Sequence, residues 1–206
     1  MEFAETRLKG AYIVDLNRRE DDRGFFARTF CQQEFEAIGI KPMIAQSNVA
    51  FNRLKGTVRG MHFQYPPASD SKLVRCTRGA IVDVIVDLRP ESETYLECID
   101  VELTERNYRA LYVPERFAHG YQVLCNDTVV AYDAGQVYTP NAESGVRFTD
   151  PRLAIEWALT PTLVSEKDRN WPLLERIEPE LRQKMTQLAL CHPKIADCIA
   201  SKSGVD

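Results

Sequence analysis

The 206-residue chain holds no unbroken apolar run long enough for a signal peptide or a membrane span. It is therefore expected to be a cytoplasmic protein that does not cross a membrane. It also lacks any block of like charge. Its 26 Lys and Arg stand against 30 Asp and Glu, a formal net charge of −4, whereas a nucleic-acid binder carries a basic field. Cys31, Cys76, Cys98, Cys125, Cys191 and Cys198 are scattered, without a CxxC pair or a zinc-type quartet. Free and mostly buried thiols in a reducing compartment are expected instead. Histidine is scarce, so chemistry that needs imidazole must use His62, His119 or His192. Internal repeats and low-complexity tracts are absent as well. A chain of this length buries about two-thirds of its unfolded surface, so one domain can fold without a disulfide or metal staple.

What is present is alternation and punctuation. Strand-like runs occur at Tyr12–Leu16, Gly24–Phe30, Ile44–Ala50, Thr57–Gln64, Leu73–Thr77, Ile81–Leu88, Glu97–Leu103, Leu111–Val113, Gly120–Leu124 and Thr128–Ala134. Asp-Arg-Gly, Lys-Gly, Pro-Pro, Arg-Gly, Arg-Pro and Asn-Asp separate them. Short strands with close turns and no alternating helices predict an antiparallel sandwich or barrel. In Ile81–Leu88 the residues Val82, Val84, Val86 and Leu88 share one wholly apolar face, with Ile81, Asp83, Ile85 and Asp87 on the other. Gln32–Ile38 reads as a short surface helix. A second helix is expected from near Pro179, a favoured first-turn residue, with Leu181, Met185 and Leu188 on one stripe that packs on the barrel or a partner subunit. Residues 1–175 are read as one domain, and 176–206 as a helical appendage and tail, frayed over Ser201–Asp206.

On a regular strand, Val58, Gly60, His62 and Gln64 share one face, and Thr57, Arg59, Met61 and Phe63 the other. Histidine beside glutamine marks a face that is wet or lines a cavity, although a structural histidine tied by hydrogen bonds fits the strand equally well. Arg59 and His62 then point apart. Either Gly60 marks a bulge that re-aims one of them, or Arg59 serves another site. His119 closes Tyr112-Val113-Pro114-Glu115-Arg116-Phe117-Ala118-His119-Gly120, a proline turn feeding a strand that resembles the second motif of the cupin superfamily. Metal-dependent cupins also carry His-x-His with a downstream glutamate. Here His62 is followed by Phe63 and Gln64, and two histidines with no fixed carboxylate make a poor transition-metal site. No metal and no other cofactor is expected.

An ordered series extends that likeness. Asp22-Arg23-Gly24-Phe25-Phe26, Gln46-Ser47-Asn48, Gly56 to Gln64, Lys72-Leu73-Val74-Arg75-Cys76, Asp83 to Arg89 and Phe117-Ala118-His119-Gly120 follow one another. After them come Tyr132, Tyr138-Thr139-Pro140, Glu143-Ser144-Gly145, Asp150-Pro151 and Ser165-Glu166-Lys167-Asp168. From about Asp15 to Leu174 the chain resembles the dTDP-4-dehydrorhamnose 3,5-epimerase family, metal-free cupins of nucleotide-sugar biosynthesis. The resemblance implies a mainly β, cupin-type double-stranded β-helix (jelly-roll) barrel with short peripheral helices and a C-terminal helix. It further implies inversion at carbon 3, carbon 5 or both of a nucleoside-diphosphate 4-keto-6-deoxyhexose. The simplest case converts dTDP-4-dehydro-6-deoxy-D-glucose to dTDP-4-dehydro-L-rhamnose.

Such an epimerase removes a proton beside a ketone and returns one to the opposite face. An imidazole, neutral near pH 7, suits the first step, and the resemblance gives that part to His62, with Asp168 as its acidic partner. It gives Lys72 to the charge that gathers on the ketone oxygen, and Tyr132 to proton return from the other face. Arg23 and Arg59 would hold the diphosphate, and Gln46 and Asn48 would read sugar or base edges. Phe26 would stack on the base, while Glu143 and His119 would line the cavity. In the family, the Asp-Arg-Gly-Phe-Phe segment reaches into a neighbouring subunit's site, which implies a homodimer. Asp133 and Arg28 depart from the residues common at their positions, as does the long segment carrying His192. A single-centre epimerase for another activated keto sugar, a metal-dependent cupin and a non-catalytic sugar-binding cupin remain the rival readings.

Overall fold

A computed structural model describes residues 1–40 and 42–186. Strands β1 (Glu2–Glu5), β2 (Tyr12–Asp15), β3 (Arg19–Asp21), β4 (Gly24–Phe26), β5 (Gln46–Asn52), β6 (Thr57–Gln64) and β7 (Lys72–Arg78) form the first half. The second half supplies β8 (Ala80–Asp87), β9 (Cys98–Thr104), β10 (Ala110–Val113), β11 (Phe117–Val123), β12 (Thr128–Ala134), β13 (Glu143–Gly145) and β14 (Leu163–Val164). Helices α1 (Gln32–Ala37), α2 (Glu166–Asn170) and α3 (Leu174–Thr186) complete the described chain. One antiparallel sheet runs β1-β2-β10-β7-β12-β5, and a second runs β13-β6-β11-β8-β9, with β14 joining β6 in parallel. The expected strands are present, except that Gly24–Phe30 shrinks to the β3–β4 hairpin, which pairs with neither sheet.

The faces of β8 follow the alternation, yet their environments reverse the simplest expectation. The wholly apolar side, Val82 to Leu88, faces outward and is roofed by Leu174, Leu181 and Met185 of α3. The aspartate-bearing side looks into the space between the sheets, where Ile81 and Ile85 meet Val74, Leu111, Tyr121 and Val130. Two carboxylates are tolerated there because each has partners. Asp83 Oδ1 lies 2.7 Å from His119 Nε2, and Asp87 accepts bonds from Arg89, Ser92 and Thr94.

Helix α1 buries Phe35 against Phe3, Phe30 and Tyr112. Helix α3 corrects the expected start at Pro179, since it begins at Leu174 and takes the proline inside. Interior proline removes a backbone hydrogen bond at a cost of about 3 kcal/mol. Burial of three α3 side chains offsets that cost, and Asp150, 24 residues earlier, accepts the Leu174 N–H at 2.6 Å. No local pattern announces that distant cap. Leu188, His192, Cys191, Cys198 and Ser201–Asp206 lie outside the described residues. The four described cysteines are free, but only Cys76 is buried, which corrects the expectation of mostly buried thiols.

The strand that matters most is β6. Its pairing with β11 sets His62 opposite His119 and Arg59 opposite Tyr121, so β6 spends three steps where β11 spends two. That extra residue is a β-bulge at Gly60–Met61. Gly60 has φ +127°, and a Cβ there would stand 2.6 Å from Gly120 Cα and 3.0 Å from the His119 carbonyl oxygen, both backbone atoms. The bulge turns Arg59 to the same side as His62, while Met61 and Phe63 enter the outer core.

Gly60→Ala should therefore cost at least about 2–4 kcal/mol in equilibrium urea unfolding. Gly39→Ala, at φ +82° with nothing within 4 Å, should cost only about 1 kcal/mol.

Candidate active site

Asp168 reaches His62 because of how α2 is started. β14 lies beside β6 with Val164 opposite Val58, and Ser165 then caps α2, its Oγ accepting the Asp168 N–H at 3.0 Å. From this first turn the buried carboxylate accepts the Gly60 N–H at 3.3 Å and stands 2.6 Å from His62 Nε2. Burial works to raise the Asp168 pKa, but the His62 and Gly60 bonds and the Ser165 contact outweigh it and hold the carboxyl below its usual value. An ionised carboxylate only accepts, so Nε2 carries the shared proton and Nδ1 offers the lone pair. The Trp171 ring lies edge-on to the imidazole, with centroids 6.3 Å apart.

His62 forms part of the wall of two adjoining hollows. The first, of about 390 Å³, is lined by Gln46 and Asn48 of β5, Gln64 of β6, Lys72 of β7, Tyr132 of β12, Glu143 of β13, and Asp70 and Tyr138 from loops. Tyr132 shares an inward face with Val130 and Ala134. Burial first, and then the charge of Asp70, push its phenol above the ordinary value against the pull of Arg59, so it is a proton donor at neutral pH. The second hollow, of about 370 Å³, is walled by Arg59, Leu163, Ser165, Lys167 and Asp168. Arg59 Nε donates to Asn52 Oδ1 at 2.8 Å. Arg59 and His62 thus meet in one wall, which decides the parity question in favour of the bulge.

Other expected residues are placed differently. Lys72, expected as the cation at the ketone oxygen, lines the first hollow with its ammonium 2.6 Å from Asp70 Oδ2. Glu143 lies in the first hollow and accepts from Tyr138 Oη and Lys167 Nζ, both at 2.6 Å. Burial opposes its ionisation, but these two bonds and nearby positive charge prevail and hold its pKa low. His119 lines neither hollow. It is buried against Asp83 as the cross-strand neighbour of His62. Arg23 and Phe26 are also absent from both walls; on the exposed β3–β4 hairpin, Arg23 bonds Asp21 and Phe26 is 71% exposed. Arg28 pairs with Glu34, and Asp133 accepts from Ser47 Oγ on the opposite side of β12 from Tyr132. Asp70, Tyr138, Lys167 and Asn52 were missed. Tyr138 and Lys167 stood in the ordered series without a role, whereas Asp70 and Asn52 had no such clue.

Among the described residues no group of three or more His, Cys, Asp or Glu side chains converges as a metal site requires. No described helix is long and apolar enough to cross a membrane.

Two antiparallel sheets carrying a histidine–carboxylate pair in the wall of a polar hollow define a protein of the cupin-type jelly-roll class. The profile of the dTDP-4-dehydrorhamnose 3,5-epimerase family matches residues 5–176, and the chain belongs to that family. An enzyme of that name from Methanothermobacter thermautotrophicus is 40% identical over 177 residues, 84% of this chain and 95% of its own. The Bacillus anthracis enzyme, solved with TDP and PPi, superimposes with a TM-score of 0.81 at 39% identity, covering 84% of this chain and 99% of that one. The Legionella pneumophila enzyme, in complex with dTDP-4-keto-L-rhamnose, gives 0.82 at 34% identity over 87% and 96% of the two chains.

A carboxyl whose pKa is lowered on folding stabilises above its unfolded value, near 3.8, and that stabilisation is lost as pH falls through the lowered folded value. Wild type should exceed Asp168→Asn by about 1–3 kcal/mol at pH 7 in urea unfolding. The difference should hold above about pH 5 and shrink as the pH falls below about 4.

Proposed function

We propose that the chain epimerises a nucleoside-diphosphate 4-keto-6-deoxyhexose, converting dTDP-4-dehydro-6-deoxy-D-glucose to dTDP-4-dehydro-L-rhamnose by inversion at carbons 3 and 5. The observation that carries this reading is the meeting of His62, bonded from behind by Asp168, with Lys72 and Tyr132 in the wall of one hollow. His62 Nδ1 takes the proton beside the ketone, and Asp168 stabilises the imidazolium that forms. Electrons move onto the ketone oxygen, where the Lys72 ammonium offsets the new charge. The phenol of Tyr132 then gives a proton to the carbon's opposite face.

Arg59 takes the diphosphate from the adjoining hollow, and Gln46, Asn48 and Glu143 hold the sugar and nucleoside. Arg23 and Phe26 act across a homodimer, each hairpin completing the site of the neighbouring copy. Their exposure, with that of Phe25, Val49 and Phe51, supports this arrangement. The working unit is residues 1–175, and 176–206 is an appendage whose described part packs on the outer core. The reaction takes place in the cytoplasm, where activated sugars are built.

Incubation with the dTDP-4-keto sugar in deuterated water with chelator should place deuterium at carbons 3 and 5. Exchange at one carbon would reduce the reading to a single-centre epimerase, and exchange at neither would remove it. His62→Ala should lower exchange by about 10³-fold or more. Tyr132→Phe should lose inversion by about 10²-fold while retaining exchange, because His62 can return its proton only to the face it came from.

A further inference from the structure

Asp70 was not among the expected site residues, yet it stands in the cavity wall. It lies in the loop between β6 and β7, is 9% exposed, and lines the first hollow with Lys72 and Tyr132. Its Oδ2 is 2.6 Å from Lys72 Nζ, and the two side chains are almost equally withdrawn from solvent. The backbone fixes only the root of Lys72, through pairing with Ala134 of β12 and Val113 of β10. Beyond that root runs a four-carbon stem whose rotamer freedom is worth up to about 2 kcal/mol. A stem left free would carry its charge through many positions in the hollow.

We propose that Asp70 is a positioning residue, whose carboxylate fixes the Lys72 ammonium in the cavity wall where charge develops on a bound ketone oxygen. The proposal rests on the reading of Lys72 as the cation at the ketone. An ammonium has three donors, so the contact with Asp70 leaves others for a ligand oxygen. The pair also spares the hollow a bare, mostly buried charge. An ammonium gains less from a neutral carbonyl than from an oxyanion, so one held beside the ketone favours the transition state over the ground state.

The test uses Asp70→Asn, Lys72→Ala, Asp70→Glu and the double variant Asp70→Asn/Lys72→Ala, each checked for folding by thermal melting and assayed with the dTDP-4-keto sugar. Asp70→Asn should lower kcat about tenfold with KM within about twofold, and Lys72→Ala should lower kcat about a hundredfold or more. Asp70→Glu should restore part of the loss. The double variant should be no worse than Lys72→Ala, because Asp70 acts through the lysine. Wild-type kcat in Asp70→Asn, or a further loss of about tenfold in the double variant, would overturn the proposal. If wild type itself neither turns over nor exchanges the sugar, the epimerase reading fails by itself. The positioning is then read without substrate, from trinitrobenzenesulfonate labelling of Lys72 followed by peptide mass spectrometry. Labelling should be at least about fivefold faster in Asp70→Asn, where no carboxylate ties the ammonium down, and an unchanged rate would overturn the proposal.

Discussion

The site depends on one buried carboxylate staying ionised. Asp168 is 4% exposed, and an unpartnered charge at that depth would take up a proton. It remains charged because three groups from two pieces of chain converge on it: the Gly60 N–H and the His62 imidazole of β6, and the Ser165 cap of α2. Their placement rests on two features of the fold. Gly60 is presented by the β6 bulge, His62 by the strand that follows it, and Ser165 by the parallel pairing of β14. The same convergence sets the tautomer of His62, so the free lone pair is a consequence of how α2 docks on β6.

The bulge matters equally for the reach of the site. Without it, Arg59 would share a face with Met61 and Phe63 and would have to enter the apolar layer beneath α3. One extra residue at Gly60 turns the guanidinium back toward His62, where Asn52 holds it. Asn52 can do so because its own amide donates to the Ala50 and Thr128 carbonyls at 3.3 Å each, leaving the oxygen aimed at Arg59. A glycine pressed against the backbone of Gly120 thus links strand pairing to the two hollows.

Much of the architecture was legible in the chain because alternation and turn residues are local. β6 and β12 match their expected bounds, and the ordered series identified the family before any side chain was placed. The distribution of inside and outside was less legible. The aspartates of β8 mark the interior, where a purely apolar face would be expected, because His119 of β11 meets one oxygen of Asp83 while Arg89, Ser92 and Thr94 of the following turn bond Asp87. The start of α3 was hidden for the same reason, its cap lying 24 residues away. His62, Lys72, Tyr132 and Asp168 were nameable from the resemblance, whereas Asp70 sits in a Ser-Asp-Ser loop whose local pattern is that of a solvated turn. The hairpin carrying Arg23 and Phe26 lines neither hollow, and its exposure was not legible in its sequence.

Charge balance in the hollows follows from their depth. Lys72 is paired with Asp70 and Lys167 with Glu143, while Asp168 is held by hydrogen bonds from His62 and Gly60. Such pairing limits the desolvation penalty of placing charged groups in a wall that is partly withdrawn from water. Arg59 is arranged differently, since its hydrogen-bond partners, the Asn52 side chain and the Phe51 carbonyl, are neutral. A guanidinium oriented by neutral groups keeps its full charge for an incoming anion while its direction is already set. A polyanionic ligand would therefore be drawn first to the Arg59 side of His62, and the uncharged part of the same molecule would be left to the balanced hollow on the other side. The two volumes flanking one imidazole thus differ in how the cations of their walls are paired.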